Sequence, residues 1–408
     1  MDLRFPAGPP TTAEALLDAV TAEPTGGRLV VGDPRIGDFL AAFARRLLQP
    51  SLARRYPELG SLGFFLRRNE IVRAVERMRA APDSALVFPR GLVFHVPPAN
   101  VDTIFVYSWA LSALAGNANV VRISARSTGG AASAVLDALN ETLSGADPVV
   151  AQTQRMVTYG HDDAVTAALS AACDLRVIWG GDRAVTEIRR HPLGPAARDL
   201  TFPDRASFAA LSAPGWLRAS TSERRAAVEA FANDAYWFDQ AACASPRALF
   251  LVGSTVDAHA AREEFLAGLA SVVEERSWGV DAAMAVEKRV STYGVAAEGA
   301  ASRIAFAGNA VATLDLVSPA DVPRRWLGAG TFPIAVVPSL VDLVPVVERK
   351  DQTFSHFGFA HEELTEFALA LGGRGIDRIV PFGSALTFSA IWDGYDLPRE
   401  FTRLTTLS

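Results

Sequence analysis

Between residues 90 and 210 the chain alternates short β-rich runs with helical stretches of about ten to fifteen residues, and this rhythm limits the fold more than any other feature. The runs "GLVFHV", "NANVVRIS", "QRMVTYG" and "LRVIWGG" read as strands. Between them, "TIFVYSWALSALAG", "GGAASAVLDALNETLSG" and the stretch from about Asp162 to Ala172 read as helices. Parallel neighbours need a long crossover, usually a helix, so the order predicts βαβ units and a parallel sheet. Residues 1–90 read mostly as helices, with Thr12 as the N-cap of "TTAEALLDAVTAE" and helical spacing again in "RRNEIVRAVERMRAA". A second α/β lobe is expected from about residue 212, with strands in "RALFLVG", "IAVVPSL" and "RIVPF". The expected partition is therefore 1–90, 91–211, 212–383 and a C-terminal segment 384–408.

Composition removes several classes of function. At 408 residues the chain is too long for one ordinary core. The net charge is −6 with acids and bases interspersed, so the basic stripe of a nucleic-acid groove is missing. The two cysteines, Cys173 and Cys243, cannot build a disulfide framework, and their neighbours suggest no metal site. The most apolar stretch, Thr103 to Gly116, falls short of the roughly 20 residues that span a bilayer, so a buried helix is expected and no membrane span. The N-terminus lacks a basic region followed by an apolar one, which points to a cytoplasmic protein.

Four places could carry chemistry. In "CDLRVIWGGDRAV" a strand runs through Trp179 into Gly180-Gly181 and a helix starts at about Asp182. Glycines there let a phosphate approach the backbone, and the helix's free N–H groups favour an anion. An ordinary strand-to-helix turn fits as well, because the full dinucleotide fingerprint is absent. In "HVPPANV", Asn100 could donate its amide to an oxyanion, or could simply cap the next helix. Arg122, Ser124 and Arg126 leave the end of a strand, where open α/β sheets bind ligands; a solvated basic loop is the other reading. Cys243, in "DQAACASPRALFLV", could be a nucleophile, although residue type alone favours a small buried side chain.

Taken in order, "HVPPANV", "GNANVVRIS", "VIWGGDRAV" and "DQAACASP" resemble the aldehyde dehydrogenase superfamily, and within it the acyl-CoA reductases of the bacterial-luminescence (LuxC-like) type. A weaker echo, "RIVPFGSALTFSAIWDG", extends the likeness towards the C-terminus. The resemblance implies two Rossmann-like α/β lobes with an active-site cleft between them. Residues 91–211 would bind the nicotinamide cofactor, with 1–90 packed on that lobe. The stretch 212–383 would carry the cysteine, and 384–408 would close the site or mediate oligomerisation. Cys243 aligns with the catalytic thiol and Asn100 with the oxyanion-hole asparagine, although Ala99 replaces the usual glycine. Trp179, Gly180 and Gly181 fall at the pyrophosphate turn, and Arg122 stands where a ribose-binding lysine is usual. The acid that commonly holds the adenine ribose is replaced by Ala125 or Arg126, which favours NADPH over NADH. Thr201 occupies the place of the glutamate that activates water in hydrolytic relatives.

The implied reaction is reduction of an acyl thioester, on coenzyme A or a carrier, to an aldehyde through an acyl-cysteine. The implied partners are an acyl-activating ligase and further copies of the same chain. Two rival readings stand beside it. One is an acyl phosphate reductase like glutamyl-phosphate reductase, and the other is a non-catalytic member that holds an acyl carrier or partner protein.

Overall fold

A strand covered on both faces must be apolar nearly throughout, and the central runs of this chain meet that demand. The computed structural model describes residues 1–81, 84–98, 104–125 and 130–407, which form two compact units, Met1–Pro203 with Phe388–Ser408, and Asp204–Thr387. Asn100 and Arg126 lie outside the described residues.

The first unit contains β1 (Asp2–Phe5), β2 (Ala85–Pro89), β3 (Leu92–Val96), β4 (Ala118–Ile123), β5 (Gln154–Thr158), β6 (Leu175–Trp179) and β7 (Arg198–Phe202). Its six-stranded sheet runs β1-β5-β4-β3-β6-β7, parallel except for β1, which lies antiparallel to β5. Every residue of β3 and β6 is buried. Successive strands proceed outward from β3 in one direction and then from β6 in the other, so the topological switch point falls between these two. Helices dominate the first 90 residues, as the periodicity predicts, with Thr12 capping Ala13–Thr21 through its hydroxyl. The sequence reading missed β1, whose four residues are too few to show an alternation.

The helix Ile104–Leu114 is buried at every position, the expected fate of a helix that is apolar all round. Among the described residues no helix is long and apolar enough to cross a membrane. Beneath this helix lies a polar network with no access to water. His95, Asn117, Asn119 and Gln154 are each at most 1 % exposed. Asn119 donates to Asn117 O and to Gln154 Oε1, both at 2.9 Å, which leaves its Oδ1 facing His95 Nε2 at 2.9 Å. His95 therefore carries its proton on Nε2 and accepts from Ser108 Oγ at Nδ1, 3.0 Å away. Gln154 also accepts from Trp109 Nε1 and donates to Asn117 O. The "GNAN" motif is thus a buried framework joining β3, β4, β5 and the apolar helix.

The second unit contains β8 (Ala206–Ser212), β9 (Pro246–Val252), β10 (Ala301–Ala307), β11 (Val311–Leu316), β12 (Thr331–Val337), β13 (Asp351–Phe357) and β14 (Arg378–Pro381). They form one sheet in the order β10-β11-β12-β9-β8-β13-β14, in which only the β10–β11 pair is antiparallel. The division between units falls at Pro203 and Asp204 rather than at 211 and 212, because β8 joins the second sheet. No helix separates β7 from β8, so no crossover pattern marks the change of sheet there.

The C-terminal segment returns to the first unit with β15 (Ile391–Trp392), β16 (Tyr395–Asp396) and β17 (Thr402–Thr406). β17 pairs antiparallel with β2 in a separate two-stranded ribbon. Asn117 Nδ2 donates to Phe401 O at 2.9 Å, and Arg90 donates to Glu400 O and Thr402 O. The same buried framework therefore fastens the chain's end.

Burial pushes the His95 imidazole down to about 4, opposed by its bond to Asn119. The unfolded chain takes up a proton below about pH 6.5 while the folded one resists until about 4, so stability should fall as pH drops through that window. The contribution is at most about 3 kcal/mol. Urea unfolding at pH 7, 6, 5 and 4 should show this slope. His95→Gln, which can keep both hydrogen bonds but has no proton to gain, should flatten it.

Candidate functional site

Cys243 sits on a turn that costs the backbone a good deal to make. After the helix Thr221–Tyr236, three consecutive non-glycine residues, Phe238, Asp239 and Gln240, hold left-handed φ values of 60°, 51° and 59°. Each costs on the order of 1 kcal/mol or more and persists only where its surroundings enforce it. Gln240, 1 % exposed, supplies most of that enforcement. Its Nε2 donates to Pro246 O at 2.7 Å and Thr331 O at 3.1 Å, and its Oε1 accepts from Thr331 N at 3.0 Å. Trp326 Nε1 donates to Asp239 O at 2.9 Å. The turn is thereby clamped to β9 and β12.

Within this frame Cys243 is exposed and three residues ahead of β9, at the amino end of the parallel strands. The bland alternative, a thiol packed into the strand, is not what the structure shows. The Cys243 carbonyl accepts from Ser207 Oγ on β8 at 2.7 Å, and Ser207 Oγ itself accepts from Thr353 N on β13 at 3.1 Å. Ser245 is fully buried and its hydroxyl has no partner among the described residues. Arg247 reaches back along the turn, donating through one terminal nitrogen to Ala241 O at 3.4 Å and through the other to Arg324 O at 3.0 Å. Burial lowers the Arg247 pKa, and the charges of Cys243 and Asp204 oppose that shift.

Cys173 has the opposite environment. It is 3 % exposed, its thiol contacts Ser170 O, and burial pushes it up to about 12. It packs in the core of the first unit.

In the first unit the remaining candidates collect at the carboxyl ends of β3, β4 and β6. Val96 and Ile178 are paired across β3 and β6, so Pro97-Pro98 and Trp179-Gly180 leave the sheet side by side at the switch point. Gly181 is the N-cap of the helix Asp182–Arg189 and offers no side chain to its free N–H groups. A side chain at Gly180 would meet Ala184 Cβ at 3.2 Å. Trp179 stacks on Phe202 with ring centroids 3.7 Å apart, and its indole N–H is buried without a partner among the described residues. Thr201 pairs with Ile178 on the neighbouring β7 and is half-buried. Arg122 lies over the Tyr159 ring at 4.7 Å and donates to Gly160 O at 3.1 Å, so its guanidinium is anchored to the end of β5. Ser124 follows β4 directly.

Sequence reasoning missed Gln240, Ser207 and Arg247. The first and last were visible as polar residues flanking a run of small ones just before an apolar strand. Ser207 gave no signal, because its role depends on β8 lying beside β9.

Comparisons with known proteins agree with this architecture. Aldehyde dehydrogenase 21 from Physcomitrella patens, solved with the reaction product succinate, superposes with a TM-score of 0.69 at 11 % identity, covering 98 % of this chain and 91 % of that one. The NAD-dependent aldehyde dehydrogenase from Sinorhizobium meliloti gives 0.68 at 15 % identity, covering 98 % and 87 %. An NAD-dependent benzaldehyde dehydrogenase from Corynebacterium glutamicum gives 0.63 at 15 %, covering 96 % and 87 %. At these identities the likeness shows the aldehyde dehydrogenase fold alone. No curated protein matches the chain. The profile of the acyl-CoA reductase (LuxC) family matches residues 65–297, more than half of the sequence and the whole stretch that holds Asn100, Gly180, Thr201 and Cys243. The chain belongs to the LuxC acyl-CoA reductase family.

Proposed function

We propose that this reductase takes an acyl thioester, on coenzyme A or a carrier protein, and reduces it with NADPH through an acyl group held on Cys243. The observation that carries the reading is the exposed thiol on a strained, clamped turn within a chain of this family. Backbone strain of this kind is characteristic of sites that must hold a reacting group in place.

The Cys243 thiolate attacks the thioester carbonyl, and the developing oxyanion is stabilised by the Asn100 amide and a backbone N–H beside Cys243. The carbon–sulfur bond to the carrier breaks, the carrier thiol leaves with a proton, and the acyl group stays on Cys243. The dihydronicotinamide, when bound, supplies a hydride to the acyl carbon. The resulting thiohemiacetal loses the Cys243 sulfur as the aldehyde forms, which restores the thiolate. Sulfur suits both halves, since the thiolate is a strong nucleophile and its acyl ester accepts hydride readily.

The turn after β6 fits a dinucleotide: Gly180 and Gly181 let a pyrophosphate approach an uncapped helix start at the switch point. The preference for NADPH rests on the missing acid at Ala125 and Arg126, with NADH as the other donor. Thr201 lacks the basicity to activate water, which favours reduction of the acyl-enzyme over its hydrolysis. A ligase that activates the acyl group is the partner this chemistry requires when the starting material is a free acid. Self-association is supported by the β2–β17 ribbon, which exposes Leu86, Phe88 and Leu404, because an isolated two-stranded ribbon is marginal in water.

Three outcomes are expected. Cofactor oxidation with a panel of acyl-CoA thioesters should be faster with NADPH than NADH and should fall at least a thousandfold in Cys243→Ala. Acyl phosphates failing to replace thioesters would separate this reading from the acyl phosphate alternative, and failure to bind either cofactor would favour the non-catalytic one. Analysis of the acyl product should find aldehyde in large excess over free acid, with Thr201→Glu raising the acid share severalfold. In sedimentation, the double variant Leu86→Asp with Leu404→Asp should shift the protein to a smaller assembly while leaving each unit folded.

A further inference from the structure

Cys243 is the middle residue of a loop whose base is closed by a side chain. The loop runs from Gln240 to Pro246, with the thiol three residues from either end. Gln240 Nε2 donates to Pro246 O at 2.7 Å, so one amide ties the loop's first residue to its last. Within the loop Ser245 N donates to Ala242 O at 3.1 Å, and Ser207 Oγ holds the Cys243 carbonyl at 2.7 Å.

The register of the sheet explains why a glutamine stands there. The pairing of β9 with β12 begins at Leu249 and Ile334, and the same offset carried back along both strands sets Pro246 opposite Thr331. On its other side Thr331 pairs with Ala312 of β11. Towards β9, its N–H and carbonyl both go to Gln240: Oε1 accepts from Thr331 N at 3.0 Å and Nε2 donates to Thr331 O at 3.1 Å. That donor and acceptor are what a neighbouring strand would offer. The amide therefore extends the ladder at the point where the cysteine loop joins the sheet. Thr331 is 2 % exposed and Gln240 1 %, so an apolar side chain at 240 would leave these backbone groups buried and unpaired.

We propose that Gln240 is a positioning residue for the reaction at Cys243: its amide closes the base of the cysteine loop against β12 and so sets where the thiol stands. This rests on Cys243 being the nucleophile. The amide acts through the backbone alone, by fixing both ends of the loop, and governs the line of attack rather than the acidity of the sulfur. A thiol displaced by about 1 Å from that line loses on the order of a hundredfold in rate even where substrate still binds. Leu269 serves as the comparison, because it is fully buried in the apolar core of the same unit and has no polar tie to the loop.

The experiment measures kcat and KM for NADPH oxidation in the full chain, with the acyl-CoA that the wild type turns over fastest. The variants are Gln240→Met, Leu269→Ala and Cys243→Ala, assayed at a temperature where melting curves show each folded. Gln240→Met keeps the volume and loses the three hydrogen bonds, so kcat should fall at least about tenfold while KM stays within about twofold. Leu269→Ala opens a cavity and lowers the melting temperature, yet its kcat should stay within about twofold of wild type. Alkylation of Cys243 by iodoacetamide needs no alignment with a bound substrate, and its pH midpoint should be the same in Gln240→Met as in wild type. An unchanged kcat in folded Gln240→Met overturns the proposal, and so does a loss in Leu269→Ala as large as that in Gln240→Met. A higher KM at unchanged kcat assigns the amide to binding, and a shifted midpoint assigns it to thiol acidity; either overturns it. Where Gln240→Met does not fold, Gln240→Glu, which keeps the acceptor for Thr331 N, takes its place. Failure of both to fold gives the glutamine a role in folding alone and also overturns the proposal. Full turnover by Cys243→Ala, or no turnover of any thioester by the wild type, defeats the proposed function instead and takes this inference with it.

Discussion

A buried amide has no water to turn to, so protein atoms must satisfy it, and in each unit such an amide fixes the segment on which function depends. In the first unit Gln154 and Asn117 bind the starts of β4 and β5 to the apolar helix and to the returning C-terminal segment. In the second unit Gln240 does the same for the cysteine turn, using both ends of its amide against β9 and β12. Removing one partner of such a bond leaves a desolvated group uncompensated, at a cost of about 1–3 kcal/mol each. These contacts specify geometry more sharply than apolar packing can. A leucine in place of Gln240 would fill the space without saying where Thr331 must be.

Both sheets set an early parallel strand, β3 or β8, inside with later strands on either side, and the second adds β10 and β11, which precede β12 in the chain, at the edge beyond it. The candidate residues use the two sheets in opposite ways. Gly180, Gly181 and Ser124 sit at the carboxyl ends of the first sheet's strands, where an α/β sheet opens a crevice. Cys243 sits at the amino end of the second sheet, ahead of β9. At that end the backbone is still free to turn, and residues from three adjacent strands can hold it: Gln240 acts through β12, Ser207 from β8 and Arg247 from β9.

Much of this was legible in the sequence, and the parts that were not share a cause. The alternation after residue 90 gave the parallel sheet, because strand and helix periods are local properties of a few turns of chain. The four ordered blocks gave the family and singled out Cys243 over Cys173. Local patterns could not tell that His95 and the two asparagines of "GNAN" satisfy one another, since their partners lie on separate strands. Nor could they place β8 in the second unit, because strand membership is settled by pairing at long range and not by the residues of the strand. For the same reason Ser207 was invisible, although its hydroxyl now links the cysteine turn to β13.

The two cysteines show how little residue type decides by itself. Both have small neighbours and both precede a strand, yet Cys173 ends the helix Asp163–Ala172 under a covering core and loses its acidity to desolvation. Cys243 is kept in solvent by a turn whose three left-handed residues deny it the strand's own path into the core.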